Sequence, residues 1–186
     1  MLFQSQMMFL NKFLHNPKEI GSISPSSRFL ANRMVSVLPW DKVSAVAELG
    51  AGTGAITRYI SSHAGEGTRV LLFEKDELMR NQLKERYPHF SCFSNASHLV
   101  QLIQYQGIEK LDGIISGLPF FNFEPKLRET LISQAAEALR TEGWFVAFQY
   151  SLQMKCLLKQ YFELEKIRLV PLNLPPAFVY VCRKRG

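Results

Sequence analysis

Cysteine is scarce in this chain. Three occur in 186 residues, at positions 92, 156 and 182. They are too few and too scattered for a disulfide framework or a zinc site, and no metal is expected. Cys92 and Cys182 lie in apolar, strand-like runs and read as buried thiols, which fits a reducing cytoplasm. No apolar run reaches the length of a membrane-spanning helix, and no basic–apolar–small leader pattern opens the chain. Internal repeats and low-complexity tracts are missing as well. With 186 residues, 47% of them hydrophobic, one domain with a proper core is expected.

Acid is also short. Sixteen Asp and Glu face 22 Lys and Arg, for a net charge of +6. The excess sits at the two ends. Residues 1–40 carry four bases against Glu19 alone, and residues 151–186 carry seven against Glu163 and Glu165. The middle holds eleven bases and thirteen acids and is close to neutral. Basic ends suit an anionic surface, lipid phosphate or nucleic acid, and serve solubility equally well.

What the chain does have is ELGAGTG, Glu48 to Gly54, at the end of an apolar strand over 45–49. A helix pattern opens directly behind it, and a second apolar strand ends on an acid, Glu74 in LLFEKD. That order builds a nucleoside pocket: glycines let the backbone approach a ligand, and a carboxylate accepts bonds from ribose hydroxyls. Gly50, Gly52 and Ala55 also fit the dinucleotide fingerprint G-x-G-x-x-G/A. Glu48 argues against that ligand. A pyrophosphate at the next helix start is repelled by a nearby carboxylate, whereas an amino acid's ammonium is attracted.

The remaining pattern alternates strand and helix. Strands are expected at 45–49, 69–74, 90–94, 111–116, 144–150, 163–170 and 177–183. Helices are expected from about 54, from about 76, and over 96–105, 125–140 and 151–161. Such alternation calls for a parallel sheet covered on both faces. The short link PLNLPP between the last two strands suits an antiparallel pair. Ahead of the sheet, residues 21–38 read as a helix, with Ser24 as cap and Pro25 at its first position. Ser26, Ser27 and Arg28 near its start suit an anion, and the same features equally describe a capped packing helix. Residues 1–16 gather Leu2, Phe3, Met7, Phe9, Leu10, Phe13 and Leu14 on one helical face. That face suits packing against the domain or a partner, and it also suits a membrane interface.

The fourth strand ends in SGLPF, Ser116 to Phe120, followed by Phe121, Asn122 and Phe123. In a doubly wound sheet this end borders the ligand crevice. Gly117 permits close approach, Pro119 stiffens the loop, and the phenylalanines offer aromatic faces to a methylammonium cation. Tyr180 in the last strand is a further candidate to face the pocket. His98, a lone histidine, reads as structural.

The spacing of ELGAGTG and FEKD resembles the first two motifs of the class I S-adenosylmethionine-dependent methyltransferases. The resemblance implies an α/β, Rossmann-like fold with a mostly parallel seven-stranded sheet, an antiparallel C-terminal strand pair and N-terminal helices. It implies one domain, with residues 1–40 as helices added to a cofactor-binding part over 41–186. It also implies S-adenosyl-L-methionine as cofactor, held by Glu48, Gly50, Ala51, Gly52 and Gly54, by Glu74 with Lys75 beside it, by Asn95 and Ala96 at the adenine position, and by Ser116. The whole chain is similar to the small bacterial phospholipid N-methyltransferases, through FLNKFLHNPKEIGSISPSSRFLANRM, SGLPF and NLPPAFVYVCRK. That likeness implies methyl transfer to the amine of phosphatidylethanolamine, open to repetition through to phosphatidylcholine. Ser116, Gly117, Leu118, Pro119, Phe120 and Tyr180 would surround the reacting amine, and Ser26, Ser27, Arg28 and Phe121 would hold the headgroup. It turns the terminal amphipathic helix into a docking element for the inner face of the cell membrane. Two other readings stay open. The loop also resembles the N-L-P-Y element of ribosomal RNA adenine-N6 methyltransferases, although the chain lacks their extra helical RNA-binding part. A cofactor-binding interaction module without enzymatic activity is the third.

Overall fold

The computed structural model describes residues 28–186. Helix α1 (Arg28–Val35) leads into β1 (Ala45–Leu49), α2 (Thr57–His63), β2 (Arg69–Phe73), α3 (Glu77–Arg86) and β3 (Ser91–Phe93). Then follow α4 (Leu99–Tyr105), β4 (Leu111–Ser116), α5 (Pro125–Ala138), β5 (Leu139–Gln149), α6 (Lys155–Tyr161), β6 (Phe162–Val170) and β7 (Ala177–Lys184). The amphipathic stretch 1–16, the Ser24–Pro25 cap, Ser26 and Ser27 lie outside the described residues.

The seven strands form one sheet in the order β3-β2-β1-β4-β5-β7-β6. The first five run parallel, and β7 is antiparallel to both β5 and β6. This is the mostly parallel α/β sheet with an antiparallel closing pair that the alternation predicts. Side chains on a strand alternate between faces, so β1 divides its residues between two cores. Ala45, Ala47 and Leu49 join Ile103, Leu131, Ile132, Leu158 and Tyr180 on the α4–α5–α6 face. Val46 joins Leu30, Met34, Ile60 and Leu83 on the α1–α2–α3 face.

Several boundaries differ from expectation: α2 opens at Thr57 and not near 54, α6 at Lys155 and not at 151, and β5 at Leu139 and not at 144. Helix α5 stops at Ala138, two residues early, and the chain goes straight into β5. Leu139 already pairs with Leu111, but the next pairing is Gly113 with Trp144. The residues between bulge outward through Glu142, whose φ is +62°, and Gly143, where a Cβ would stand 2.8 Å from the Arg140 carbonyl. Asp112 fastens this bulge to the start of β1. Its carboxylate accepts from the Ser44 and Ala45 N–H groups at 2.8 and 2.9 Å and from Arg140 Nε at 2.6 Å.

All three cysteines are free. Cys182 is buried as expected, and burial pushes its thiol up to about 12. Cys92 is only half-buried, because β3 is the edge strand of the sheet. Among the described residues no helix is long and apolar enough to cross a membrane, and no three His, Cys, Asp or Glu side chains are placed to hold a metal.

Candidate active site

The sheet register brings the motif residues to one edge. Leu49 pairs with Phe73 on one side and Ser116 on the other, Phe73 pairs with Phe93, and Ser116 pairs with Ala147. Gly50, Glu74, Asn95 and Gly117 therefore all leave the sheet just beyond a single row. β1 lies between β2 and β4, where chain connections diverge, and the crevice outside such strand ends is where α/β sheets bind ligands.

The glycine turn and the SGLPF loop touch there. The Gly117 N–H donates to the Leu49 carbonyl at 2.8 Å. A Cβ on Gly50 would lie 2.8 Å from Leu118 Cδ2, and a Cβ on Gly117 would lie 3.0 Å from the Gly50 carbonyl oxygen. Gly50 also has a φ of +76°, a conformation costly for any side chain-bearing residue. Glycine at both positions follows from this double constraint. The Gly50 and Ala51 N–H groups are taken by the Phe73 carbonyl at 2.8 and 3.1 Å, which folds the turn back onto β2.

Two carboxylates occupy the crevice with opposite characters. Glu74 is half-buried at the end of β2. Its Oε2 accepts from the Gly52 N–H at 2.7 Å, and its Oε1 accepts from the Asp76 N–H at 2.8 Å. Each oxygen keeps a second lone pair for a hydroxyl donor. Glu48 is completely buried on the α1–α2–α3 side. The Thr57 hydroxyl donates to its Oε2 at 2.7 Å, while Oε1 has no hydrogen-bond partner. Burial pushes the Glu48 carboxyl up to about 8, the Thr57 bond opposes that rise, and the nearby Glu74 charge adds to it. A buried oxygen without a donor is a costly arrangement. A cationic ammonium reaching it would relieve the cost, and the amino-acid part of S-adenosylmethionine carries one. The orphaned oxygen, the glycine turn and the strand-end carboxylate together fit that cofactor.

The other expected cofactor residues are spread further along the edge. Gly52 lies in the turn, and Gly54 packs close to Leu83 of α3. Lys75 is exposed, and its carbonyl accepts from Arg80 at 3.0 Å. Asn95 is exposed with Ala96 half-buried beside it, and the Asn95 side-chain oxygen accepts from the Ser97 N–H at 2.9 Å. That bond starts the short turn Ala96–His98 ahead of α4 and leaves one lone pair on the oxygen.

On the β4 side, Ser116 is buried, and its hydroxyl oxygen accepts from the Leu118 N–H at 3.3 Å. Leu118, Pro119 and Phe121 are half-buried at the edge. Two expectations are corrected here. Phe120 does not join an aromatic wall. Its ring is buried in the core against Phe123 and Phe145, because the tight turn Phe120–Asn122 sends neighbouring side chains in different directions. Tyr180 does not present a free hydroxyl to the crevice. It lies on the sheet face opposite Val46 and the Glu48 environment, and its hydroxyl donates to the Ser151 carbonyl at 2.8 Å. Burial pushes that phenol up to about 12. Arg28 opens α1 as an exposed residue with its guanidinium 4.9 Å from the Phe29 ring.

Three bracing residues escape the sequence reading. Thr57 supports Glu48. Gln149, buried at the end of β5, donates from Nε2 to the Leu118 carbonyl at 2.9 Å. Arg128 donates to the carbonyls of Phe120, Phe121 and Phe123 at 2.9, 3.1 and 2.8 Å, with its guanidinium 5.5 Å from the Phe121 ring. A polar residue closing an apolar strand is the one readable signal, at Gln149. Thr57 and Arg128 sit on ordinary helix positions and carry none.

Comparison with known proteins agrees with this geometry. The family model described as "Methyltransferase small domain" matches residues 21–169. The ornithine lipid N-methyltransferase of Singulisphaera acidiphila is 33% identical over 184 residues, spanning 95% of this chain and 94% of that protein. Among solved structures, the 1,6-didemethyltoxoflavin-N1-methyltransferase of Burkholderia thailandensis, with bound S-adenosylhomocysteine, superimposes with a TM-score of 0.70 at 16% identity, over 97% of this chain and 87% of that one. The N-methyltransferase NodS of Bradyrhizobium japonicum gives 0.67 at 14% identity, over 85% of this chain and 97% of that one. These two distant likenesses speak for the fold. Family match, full-length relative and crevice geometry converge: the chain belongs to the small-domain methyltransferase family and is an S-adenosylmethionine-dependent methyltransferase.

Proposed function

We propose that this enzyme methylates the alkyl amine of a membrane-lipid headgroup, with an ornithine headgroup as the first acceptor to test. The observation that carries the reading is 33% identity to an ornithine lipid N-methyltransferase along nearly the whole of both chains. Phosphatidylethanolamine, the acceptor implied by the motif resemblance, is the second. Both bear an alkyl amine on a polar headgroup.

When bound, S-adenosylmethionine supplies a methyl group on a sulfonium, an activated donor that needs neither metal nor covalent intermediate. In this reading Glu48 receives the cofactor's ammonium at its unpartnered oxygen, and Glu74 accepts from the ribose hydroxyls. Asn95 and Ala96 border the adenine. On the acceptor side the loop from Ser116 to Phe121 positions the amine. An alkyl amine has an ordinary pKa of about 10.4, so it must lose a proton before attack. Desolvation favours its neutral form, and the half-buried Leu118, Pro119, Phe121 and Phe123 supply apolar surroundings. Alignment of the reacting atoms then supplies much of the rate. Gln149 and Arg128 hold the loop carbonyls in place. Arg28 is proposed to meet a headgroup anion, with Ser26 and Ser27 beside it. The amphipathic residues 1–16 are proposed to attach the protein peripherally to the inner face of the cell membrane.

Incubation with labelled S-adenosylmethionine decides the matter. Vesicles containing ornithine lipid, vesicles containing phosphatidylethanolamine, ribosomal RNA and buffer form separate arms. Label extracted with lipid is the expected result, strongest in the ornithine-lipid arm. Label in RNA alone overturns the reading in favour of an RNA methyltransferase.

A further inference from the structure

The edge of the sheet beyond β5, β7 and β6 has its polarity inverted. Gln149 pairs with Phe178, and Val170 pairs with Ala177, so the stretch after β5 and the link between β6 and β7 emerge at the same edge as the SGLPF loop. In that link Asn173 is only 2% exposed, while its neighbours Leu172 and Leu174 are 65% and 74% exposed. Leu152 and Leu169, on the same edge, are exposed at 50% and 54%. A loop ordinarily turns its amide outward and its leucines inward, so this arrangement exposes apolar surface at a cost.

The inversion is built into the loop. The Asn173 side chain donates to the Pro175 carbonyl at 2.8 Å, and its N–H donates to the Val170 carbonyl at 3.3 Å. The Tyr150 hydroxyl shares a hydrogen bond with the Asn173 side chain, and Tyr180 donates to the Ser151 carbonyl. The two leucine-bearing segments are therefore tied to each other and to the sheet. Charge follows the same layout. Lys155 opens α6 just after β5 and Arg168 lies two residues before the end of β6, both toward the leucine edge, whereas Lys159 lies toward the far end, where its carbonyl accepts from Arg185, and Lys166 sits mid-strand beside Glu165. Glu163 and Glu165 fall toward the far end of β6, where Glu165 pairs with Arg183 at 3.0 Å.

We propose that Leu152, Leu169, Leu172 and Leu174 form a docking face that inserts into the interface of an anionic lipid bilayer. This deepens the lipid reading given above and rests on it. Buried polar bracing presents the leucines as a fixed apolar surface, and Lys155 and Arg168, toward the same edge, match anionic headgroups. Because the face shares an edge with the SGLPF loop, docking would bring headgroup amines to the reaction crevice without a lipid leaving the bilayer.

The test uses the full chain and the double substitution Leu172→Ser/Leu174→Ser. Sedimentation with vesicles of equal phosphatidylglycerol and phosphatidylcholine should show partitioning weakened by about tenfold or more, the scale of withdrawing two partly inserted leucines. Affinity for S-adenosylhomocysteine, and methylation of a short-chain amine lipid below its micellar concentration, should stay within about twofold. Unchanged vesicle partitioning overturns the proposal. So does loss of cofactor affinity together with partitioning, which would make the leucines internal packing for the chain's own residues. A wild-type dimer that becomes a monomer in the variant would assign the face to a second copy, and also overturns it. Leu174→Trp gives a measurement that does not depend on loss: its added fluorescence should shift to the blue with vesicles, and no shift counts against insertion. If the wild type partitions but transfers label to no lipid, the acceptor assignment fails alone. If it methylates lipid while the leucine variant partitions normally, the docking face fails alone.

Discussion

The two halves of the crevice solve their problems with different materials. On the β1–β2–β3 side the polar groups are side chains: Glu48 completely buried, Glu74 at a strand end, Asn95 opening a turn. On the β4–β5 side they are mainly backbone carbonyls, those of Leu118, Phe120, Phe121 and Phe123, each held by a side chain from elsewhere. A cofactor of fixed chemistry rewards dedicated charged groups at fixed spacing. An acceptor delivered from outside needs a shaped, partly apolar wall whose geometry is preserved by bracing. Damage to the first side should therefore appear in cofactor binding and in the pH dependence of the fold, and damage to the second in turnover.

The largest expected effect concerns Glu48. Its carboxyl is raised from 4.5 to about 8, first by burial and then by the Glu74 charge. Below about pH 4.5 the folded and unfolded states both carry the proton. Between that value and about 8 the unfolded chain gives it up while the folded chain keeps it, so the contribution to stability falls as pH rises and then levels off. Each tenfold change in proton affinity is worth about 1.4 kcal/mol, so the full swing is on the order of 5 kcal/mol. Denaturant titrations of the cofactor-free protein from pH 5 to 8.5 should show that decline, and Glu48→Gln should flatten it. A decline of equal slope in the variant would remove Glu48 as its source.

Next in size is Glu74→Ala. Cofactor product affinity should fall by about 1–3 kcal/mol, the scale of leaving ribose hydroxyls unpaired. The variant also frees the Gly52 and Asp76 N–H groups, which now donate to the carboxylate. Glu74→Gln, which keeps an acceptor oxygen, should recover part of the loss. Calorimetry with S-adenosylhomocysteine reads both, and wild-type affinity in the alanine variant would take Glu74 out of the site.

The same contrast decides what a reader of the sequence can see. The proposed cofactor side is written in short range: Glu48, Gly50 and Gly52 fall within five residues, and Glu74 follows the very next strand. Strand and helix order is legible for a related reason, since the 2.0 and 3.6 periodicities need only local residues. The proposed acceptor side is assembled across the chain. Gln149 bonds a carbonyl 31 residues earlier, and Arg128 reaches back over the turn from inside α5. Phe120 and Phe121 look equivalent in sequence, yet the turn geometry buries one and leaves the other at the edge. Tyr180 failed as a pocket residue because alternation along β7 depends on register with β5, which the chain's own period cannot assign to a face. The exposed leucines of PLNLPP are equally silent in sequence, because only the burial of Asn173 reveals that the loop is turned inside out.

The smallest predicted effect is the cleanest probe of the second half. Arg128 gives its guanidinium to three carbonyls in the segment 120–123 and to no carboxylate among its hydrogen bonds there. Its planar fork matches that spacing, and a lysine offers a point charge with no such fork. Removing it leaves the carbonyls to find water or move, and a loop displaced by a fraction of an ångström loses alignment with the methyl donor. Arg128→Ala should lower kcat by about tenfold, near 1.4 kcal/mol of barrier, while affinity for S-adenosylhomocysteine stays within about twofold. Arg128→Lys should recover little. Equal loss of kcat and cofactor affinity would mean that the two halves do not act separately, since the Gly50–Leu118 contact would then carry the disturbance from one loop into the other.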